Sequence, residues 1–152
     1  MSEPACSVDD VAAYILQKTG PMSAMKLQKL VYYSQAWSLV WDERPLFPER
    51  IEAWANGPVV RHLYDKHRGV FELSSWIGRP ENLDQDARET VDSVVQHYGP
   101  MKAQWLSHLT HQEHPWRDAR HGLREGERGS SEITQAALME YYHGLHSHGE
   151  EG

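Results

Sequence analysis

The segment Met25–Trp41 constrains the fold most, because large apolar side chains occur on almost every turn of it. One face carries residues at helical spacing, namely Leu27, Leu30, Val31, Ser34, Trp37 and Trp41. Beside that face lies a second apolar row of Tyr33, Ala36 and Val40. A helix that is apolar around most of its circumference must be surrounded by neighbours. The segment therefore predicts a central core helix.

Polar residues are concentrated in the first turns of this helix. Lys26, Gln28 and Lys29 are expected to hold their polar ends in solvent while their stems cover apolar surface. At the other end, Trp41 is expected to pack into the core; the alternative is that Trp41 and Trp76 are aromatic anchors for a protein partner. The segment has no apolar run long enough to span a bilayer, so no membrane association is expected.

The remaining sequence predicts further helices, separated by short breaks. Ser7 and Asp84 are expected to cap two of them, and Ser131 with Glu132 the last. Two more helix starts are expected at the proline residues Pro58 and Pro100. A short helix is also expected at 116–121, where the chain turns.

The buried faces of these helices follow from their apolar spacing. Trp105, Leu106 and Leu109 are expected to point inward after Pro100. The last helix is expected to bury Ile133, Ala137, Tyr141 and Leu145. Residues 51–54 predict a short strand, and residues 69–82 an irregular segment pinned by its aromatic side chains. The predicted fold is all-α, or α with a minor β-hairpin, around a central buried helix.

Length and charge limit the class of protein. The chain has 152 residues, which suits a single domain over 1–152, with a loose N-terminus at 1–6 and a disordered tail at 146–152. A net charge of −7 argues against broad nucleic-acid binding and favours a basic protein partner. Cys6 alone cannot form an internal disulfide, and no secretory signal is apparent, so a cytoplasmic location is expected.

Histidines provide the strongest hint of chemistry, since the chain has ten of them. His108, His111 and His114 recur every third residue, with Glu113 nearby, but no recognised zinc signature accompanies them. The alternative interpretation is that His111 anchors a turn by hydrogen bonding. No nucleophile elbow or phosphate-binding loop is present, so neither a catalytic set nor a cofactor is expected.

Two motifs instead predict rigid structural corners. Trp54, followed by Gly57 and Pro58, builds a tight corner in which Trp54 is expected to pack against Tyr64 or the central helix. The alternative is that this corner, with its edge strand, offers a docking surface to a partner. The other corner, T-H-x-E-x-P-W, ends a helix and inserts Trp116 into the core.

Three segments together resemble one protein family. The first motif is K-L-Q-K-L-V-Y-Y from Lys26. The second motif comprises P-L-F, I-E-A-W and G-P-V-V between residues 45 and 60. The third motif is L-T-H-x-E-x-P-W, which ends at Trp116. Their order and spacing resemble the Panacea domain family, the SocA-like and phage-associated antitoxins. Members often carry an additional domain or a further N-terminal segment, whereas this chain consists almost entirely of the domain.

The resemblance implies an antitoxin that neutralises a cognate toxin by direct contact. One alternative that it implies is an adaptor that delivers a toxin to a AAA+ protease. The residues leave open a metal-dependent hydrolase using His108, His111 and Glu113, and a DNA-binding regulator using the arginines of 116–124. The candidate toxin-binding or motif residues are Lys26, Lys29, Tyr33, Trp54, Gly57, Pro58, Tyr64, Trp76, His111, Glu113 and Trp116.

Overall fold

The computed structural model describes residues 3–151, with side chains described as far as residue 147. Helices dominate this part of the chain: α1 (Val8–Thr19), α2 (Ala24–Trp41), α3 (Arg61–His67), α4 (Gln85–Tyr98), α5 (Ala103–Gln112), α6 (His114–Ala119) and α7 (Gln135–Glu151). The strands are short: β1 (Met22–Ser23), β2 (Ile51–Trp54), β3 (Gly57–Val60), β4 (Glu72–Leu73) and β5 (Glu132–Ile133). The predicted fold class, helical with a minor β-hairpin, is confirmed.

Helix α2 lies at the centre, as its apolar circumference predicts. It contacts α1, α4, α5 and α7 as well as β3. Leu27, Leu30 and Val31 are fully buried, and so are Tyr33 and Ala36. The buried apolar residues of the described part form one core cluster, with members from the helices and strands that surround α2. The prediction for Trp41 is wrong, because its side chain is 42% exposed and stacks on Trp37 at the last turn of the helix.

Local side-chain caps set where the helices begin. Ser7 and Asp10 form a reciprocal capping box at α1. Ser23 accepts the backbone N–H of Lys26 at α2, and Asp84 accepts that of Ala87 at α4. These hydrogen bonds satisfy N–H groups that have no partner within the helix. The predicted helix starts at Ser7 and Asp84 are therefore confirmed.

The small sheet differs from the prediction at Pro58. β2 pairs antiparallel with β3 and with β5, so the strand order is β3-β2-β5. Pro58 lies within β3 opposite Ala53 and does not begin a helix, since α3 starts at Arg61. A proline fits here because β3 is an edge strand, where an absent N–H breaks no ladder bond.

Two predicted helix faces are also wrong. On α5, Leu106 is buried but Trp105 is 53% exposed. On α7, the buried side chains are Leu138 and Tyr142, one position later than predicted. The shift arises because Glu132 and Ile133 pair with β2 as a strand, and the helix begins only at Gln135.

The segment 68–84 includes residues 69–82, which were predicted to be irregular. Apart from the two-residue strand β4 and a 3-10 turn at Pro80–Asn82 it is irregular, and its contacts with α1 hold it. Trp76 donates its indole N–H to Asp9 at 2.9 Å, and the backbone N–H of Arg79 bonds to Asp10 at 2.8 Å. Leu73 and Leu83 are also buried in the core, whereas Phe71 is 83% exposed and Ile77 94% exposed. The segment is thus fixed at intervals and exposes apolar residues between the fixed points.

Both chain ends are more regular than predicted. Ala5 and Cys6 donate backbone hydrogen bonds to the carbonyls of Pro45 and Leu46. Helix α7 continues through most of the expected tail, as far as Glu151. Residues 1, 2 and 152 of the expected loose ends lie outside the described residues.

Candidate functional site

Gln28 and Lys29 close the free edge of β3, contrary to the prediction that they face solvent. Gln28 is 3% exposed; its side-chain oxygen accepts the N–H of Val60 at 2.8 Å, and its amide nitrogen donates to the Val60 carbonyl at 3.2 Å. The ammonium of Lys29 donates to the Pro58 carbonyl at 3.3 Å. Side chains from a helix thus pair with the outer backbone groups of the strand. The first and second motifs are joined through these bonds.

Lys29 occupies an unusual position for a lysine. Its side chain is 2% exposed, and burial lowers its pKa to about 8 because the charged form loses its hydration. Gly57 packs directly over it: a Cβ built at Gly57 would lie 2.7 Å from Cε of Lys29. Two features therefore require glycine at position 57: the close approach of Lys29, and a φ of 126°, which disfavours any residue with a side chain.

The Trp54 corner forms as predicted. The indole ring lies edge-on to Tyr64 with centroids 4.7 Å apart. Its N–H donates to Glu52 at 2.8 Å, and the guanidinium of Arg61 lies 5.2 Å from the ring centroid. Glu52 is buried and pairs with Arg61 at 3.2 Å. The corner is therefore held by a network of charge and aromatic contacts rather than by apolar packing alone.

Glu113 accepts hydrogen bonds at the centre of a buried tyrosine cluster. Tyr33 donates to its Oε1 at 2.7 Å and Tyr142 to the same oxygen at 2.8 Å. Burial raises the pKa of Glu113, and the two hydroxyl donors oppose that rise. Tyr98 stacks on Tyr33 with centroids 4.0 Å apart. The bond from Tyr33 to Glu113 joins the first motif to the third. Glu113 therefore holds the fold together from inside and does not face solvent.

His111 and Trp116 form a stacked pair at the third motif. Their ring centroids are 3.9 Å apart and nearly parallel. Trp116 is buried and donates its N–H to the carbonyl of Trp54 at 2.8 Å, which ties this motif to the corner. A hydrogen bond to the Asn56 backbone supports the interpretation of His111 as an anchor, although burial lowers its pKa overall. Its Nε2 is buried and has no partner among the described residues.

The remaining candidates lie apart from these clusters. Lys26 donates to the Gly99 carbonyl at 2.6 Å, at the end of α4. Trp76 lies on the 68–84 segment against α1. The residues that sequence reasoning missed are Gln28 as an edge partner, and the cluster members Tyr98 and Tyr142. The one-residue error in the face of α7 concealed Tyr142.

A cleft opens beside the hairpin between β2 and β3, with a volume of about 640 Å³. Its wall includes the side chains of Lys29, Trp54 and Tyr64. Arg61, Arg68 and Arg128 also line it, as do uncharged residues from the hairpin turn and from 129–130. The candidates Lys29, Trp54 and Tyr64 therefore converge on one concave surface.

Features of an active centre are limited in the described part of the chain. Residues 3–147 contain no group of three or more His, Cys, Asp or Glu side chains arranged to hold a metal ion. His111 is stacked on an indole, and Glu113 is engaged by two tyrosines. Burial raises the pKa of Cys6 to about 12, so its thiol is a poor nucleophile at neutral pH.

Comparison with known proteins identifies the family. The family model described as antitoxin SocA-like, Panacea domain, matches residues 27–117, which is more than half of the chain. Searches of curated proteins and of solved structures found no match. In the described part of the chain, every helix is too short or too polar to cross a bilayer. The matched range covers all three motifs except Lys26, and the chain belongs to the SocA-like antitoxin family with a Panacea domain.

Proposed function

We propose that this chain is an antitoxin that neutralises a cognate toxin by direct protein–protein contact and catalyses no reaction of its own. The family match over residues 27–117 is the observation that carries the proposal. The candidate polar residues support it, because Lys29, Tyr33 and Glu113 are used to join elements of the fold. The toxin that this function implies is cytoplasmic, in the compartment where both proteins are synthesised.

The exposed apolar residues of segment 68–84 are the proposed contact with the toxin. Phe71 and Ile77 are almost fully exposed, and Val70 is half-exposed. Exposed apolar side chains of this size are typical of interaction surfaces. The segment is fixed at Leu73, which pairs with Met22, and at Trp76, which bonds to Asp9. The exposed residues lie within three positions of these two points, so their ordering cost on binding is small.

The net negative charge of the chain would steer its association with the toxin. The net charge of −7 attracts a basic face of a toxin and speeds association. Such a face is typical of proteins that act on nucleic acid or nucleotides. Covering it would block the toxin's access to its substrate without any chemical step.

Co-expression with the product of the adjacent gene tests the function. We expect the chain to restore growth of cells that express that product, and the two proteins to co-purify. Failure of rescue when both proteins are soluble would refute the antitoxin role. Rescue that depends on a AAA+ protease would indicate the adaptor mechanism instead of direct neutralisation.

The proposed contact surface has a matched pair of variants. Replacing Phe71 and Ile77 together by Ser should abolish rescue and co-purification while leaving the melting temperature unchanged, since neither side chain is in the core. Trp105→Ser, an exposed aromatic on α5, serves as the control and should still rescue. Equal rescue by all three proteins would place the interface elsewhere.

A further inference from the structure

The cleft beside the hairpin is cationic, although the chain as a whole is acidic. Four of its lining residues are lysine or arginine, Lys29, Arg61, Arg68 and Arg128, and none is aspartate or glutamate. The whole chain has 22 acidic and 15 basic residues. A concave wall with one sign of charge concentrates the potential inside it. This cleft therefore attracts anions despite the net charge of the molecule.

Lys29 lies at the buried end of this cleft and is poorly satisfied. Its ammonium has three donors, but in the described part of the chain it makes one hydrogen bond, a long one of 3.3 Å to Pro58. No carboxylate pairs with it there, and its side chain is 2% exposed. A buried cation without an anionic partner is destabilising. An anion in the cleft would supply the missing partner.

The arginines differ in how far they are already engaged. Arg61 pairs with Glu52 and covers the Trp54 ring, so it forms part of the wall. Arg68 and Arg128 form no ion pair with a carboxylate among the described residues, and both are exposed. Guanidinium groups bind oxyanions through paired N–H donors. Two are thus available beside the buried ammonium.

We propose that this cleft binds a small organic anion, a phosphate or carboxylate compound, whose charged group contacts Lys29, Arg68 and Arg128. The uncharged part of the ligand lies against the walls formed by Met25, Tyr64 and Val59. The volume of about 640 Å³ lies in the usual range of small-molecule sites. This site is separate from the exposed apolar residues proposed to contact the toxin.

Isothermal titration calorimetry of the full chain at low salt tests the proposal. The probes are inorganic phosphate, adenosine monophosphate and citrate, which separate the charged group from the organic part and phosphate from carboxylate. We expect saturable binding of adenosine monophosphate or citrate at one site, tighter than that of inorganic phosphate. Absence of saturable binding by either organic probe at millimolar concentration would overturn the proposal.

Two neighbouring lysines on α2 give a matched pair of variants. Lys29→Met should weaken binding by about tenfold or more, as expected for loss of a charge-assisted hydrogen bond. Lys26→Met removes a lysine whose ammonium also bonds to a backbone carbonyl, but outside the cleft, and should leave binding unchanged. Equal affinities in the two variants would overturn the assignment. Melting curves of both variants verify that they fold.

The arginines provide a second, independent readout. Replacing Arg68 and Arg128 together by Gln should weaken binding and reduce its dependence on salt, because two charges at the mouth are removed. Arg88→Gln is the control, since Arg88 lies on α4 and bonds to the Leu83 carbonyl. An affinity and a salt dependence that are both unchanged in the double variant would contradict the role of these arginines.

Discussion

Lys29 is a residue whose burial costs stability. A pKa lowered from 10.5 to about 8 corresponds to a penalty on the order of 3 kcal/mol for holding the charged form in the fold. Its hydrogen bond to Pro58 returns about 1 kcal/mol. A residue that weakens its own fold is typical of a functional position, which is consistent with an anion-binding role.

Lys29→Met should therefore stabilise the free protein by about 2 kcal/mol at pH 7. Between about pH 8 and its ordinary pKa of 10.5, Lys29 stays protonated in the unfolded chain but is neutral in the folded one. The stability of the wild type relative to the variant rises with pH over that window. Urea denaturation at pH 7 and pH 10 measures the difference, with Lys26→Met as the control. A difference that does not shrink at pH 10 would contradict the burial argument.

Glu113 depends on its two tyrosine donors. Tyr33→Phe or Tyr142→Phe should each lower the free energy of unfolding by about 1–2 kcal/mol, because one bond to a buried carboxyl is lost. The double variant should lose about 3–5 kcal/mol at neutral pH, since the carboxylate keeps no donor. With the pKa of Glu113 raised further, the double variant should regain stability as the pH falls, because only the folded form then binds the extra proton. Denaturation at pH 5 and pH 7 tests this, and a loss independent of pH would contradict it.

Sequence reasoning predicted these residues as a set but misplaced some of their side chains. Lys29 was predicted in solvent because it lies near the start of a helix, where lysines commonly extend outward. Its partner Pro58 is 29 positions away, and no local pattern indicates the contact. The Tyr33–Glu113 bond spans 80 positions and is equally invisible to periodicity. Local patterns predict which elements form, while long-range polar pairs depend on tertiary packing.

At the scale of elements, the β2–β3 hairpin organises the site. It positions Trp54 and Gly57 at the turn and lays Pro58 over Lys29. At Val60 its N–H donates to the Gln28 side-chain oxygen, and its carbonyl accepts from the Gln28 amide nitrogen. Each of these contacts joins the hairpin to α2 or α3. The hairpin is therefore a rigid connector between the central helix and the cleft.

Gly57→Ala should destabilise the chain by about 2–4 kcal/mol. The added methyl group would meet Lys29 at 2.7 Å, and the φ of 126° would be strained as well. Gly122→Ala is the matched control: its φ is 88°, but no atom lies within 4 Å of the added Cβ, so about 1 kcal/mol is expected. Combining Gly57→Ala with Lys29→Ala should recover part of the loss if the contact is responsible. Thermal unfolding of the four variants gives the comparison, and strictly additive losses would exclude the contact.

Gln28→Leu should cost about 2–4 kcal/mol, although leucine is apolar and similar in size. It would leave the N–H of Val60 buried without its partner and remove one donor from the Val60 carbonyl. Gln112→Leu, on the exposed end of α5, should change stability by less than about 0.5 kcal/mol. Denaturant midpoints of the two variants would show whether Gln28 has this role. Equal midpoints would mean that water replaces it.

Element boundaries were predictable where a local signal determines them. The caps at Ser7 and Asp84 act within three residues of the helix start, and both predictions are confirmed. Pro58 was misassigned because proline suits both a helix start and an edge strand. Tertiary pairing with β2 selects the strand.

At the scale of the whole molecule, the fold class and the family were both predictable from sequence. The apolar circumference of α2 required surrounding helices, and the three motifs occur in the order that the family model matches. The cleft was not predictable, because its basic residues come from α2, α3 and the loop at 128–130. Only the packed structure brings these separated positions together.

Net charge yields a prediction about kinetics. If a charge of −7 steers the chain toward a basic toxin, the association rate should fall by about tenfold or more when salt is raised from low to physiological strength. The dissociation rate should change little, because apolar contacts at Phe71 and Ile77 hold the complex. Surface plasmon resonance measures both rates, and an association rate insensitive to salt would argue against steering.

The amide that Gln28 offers to Val60 has a consequence for crowded solutions. An unprotected edge strand can pair with the strands of neighbouring molecules and so lead to aggregation. In the β3-β2-β5 sheet, α2 already occupies the β3 edge, and the other edge strand, β5, is only two residues long. This sheet therefore offers few free backbone groups for pairing with another chain, so we expect a partner to recognise side chains.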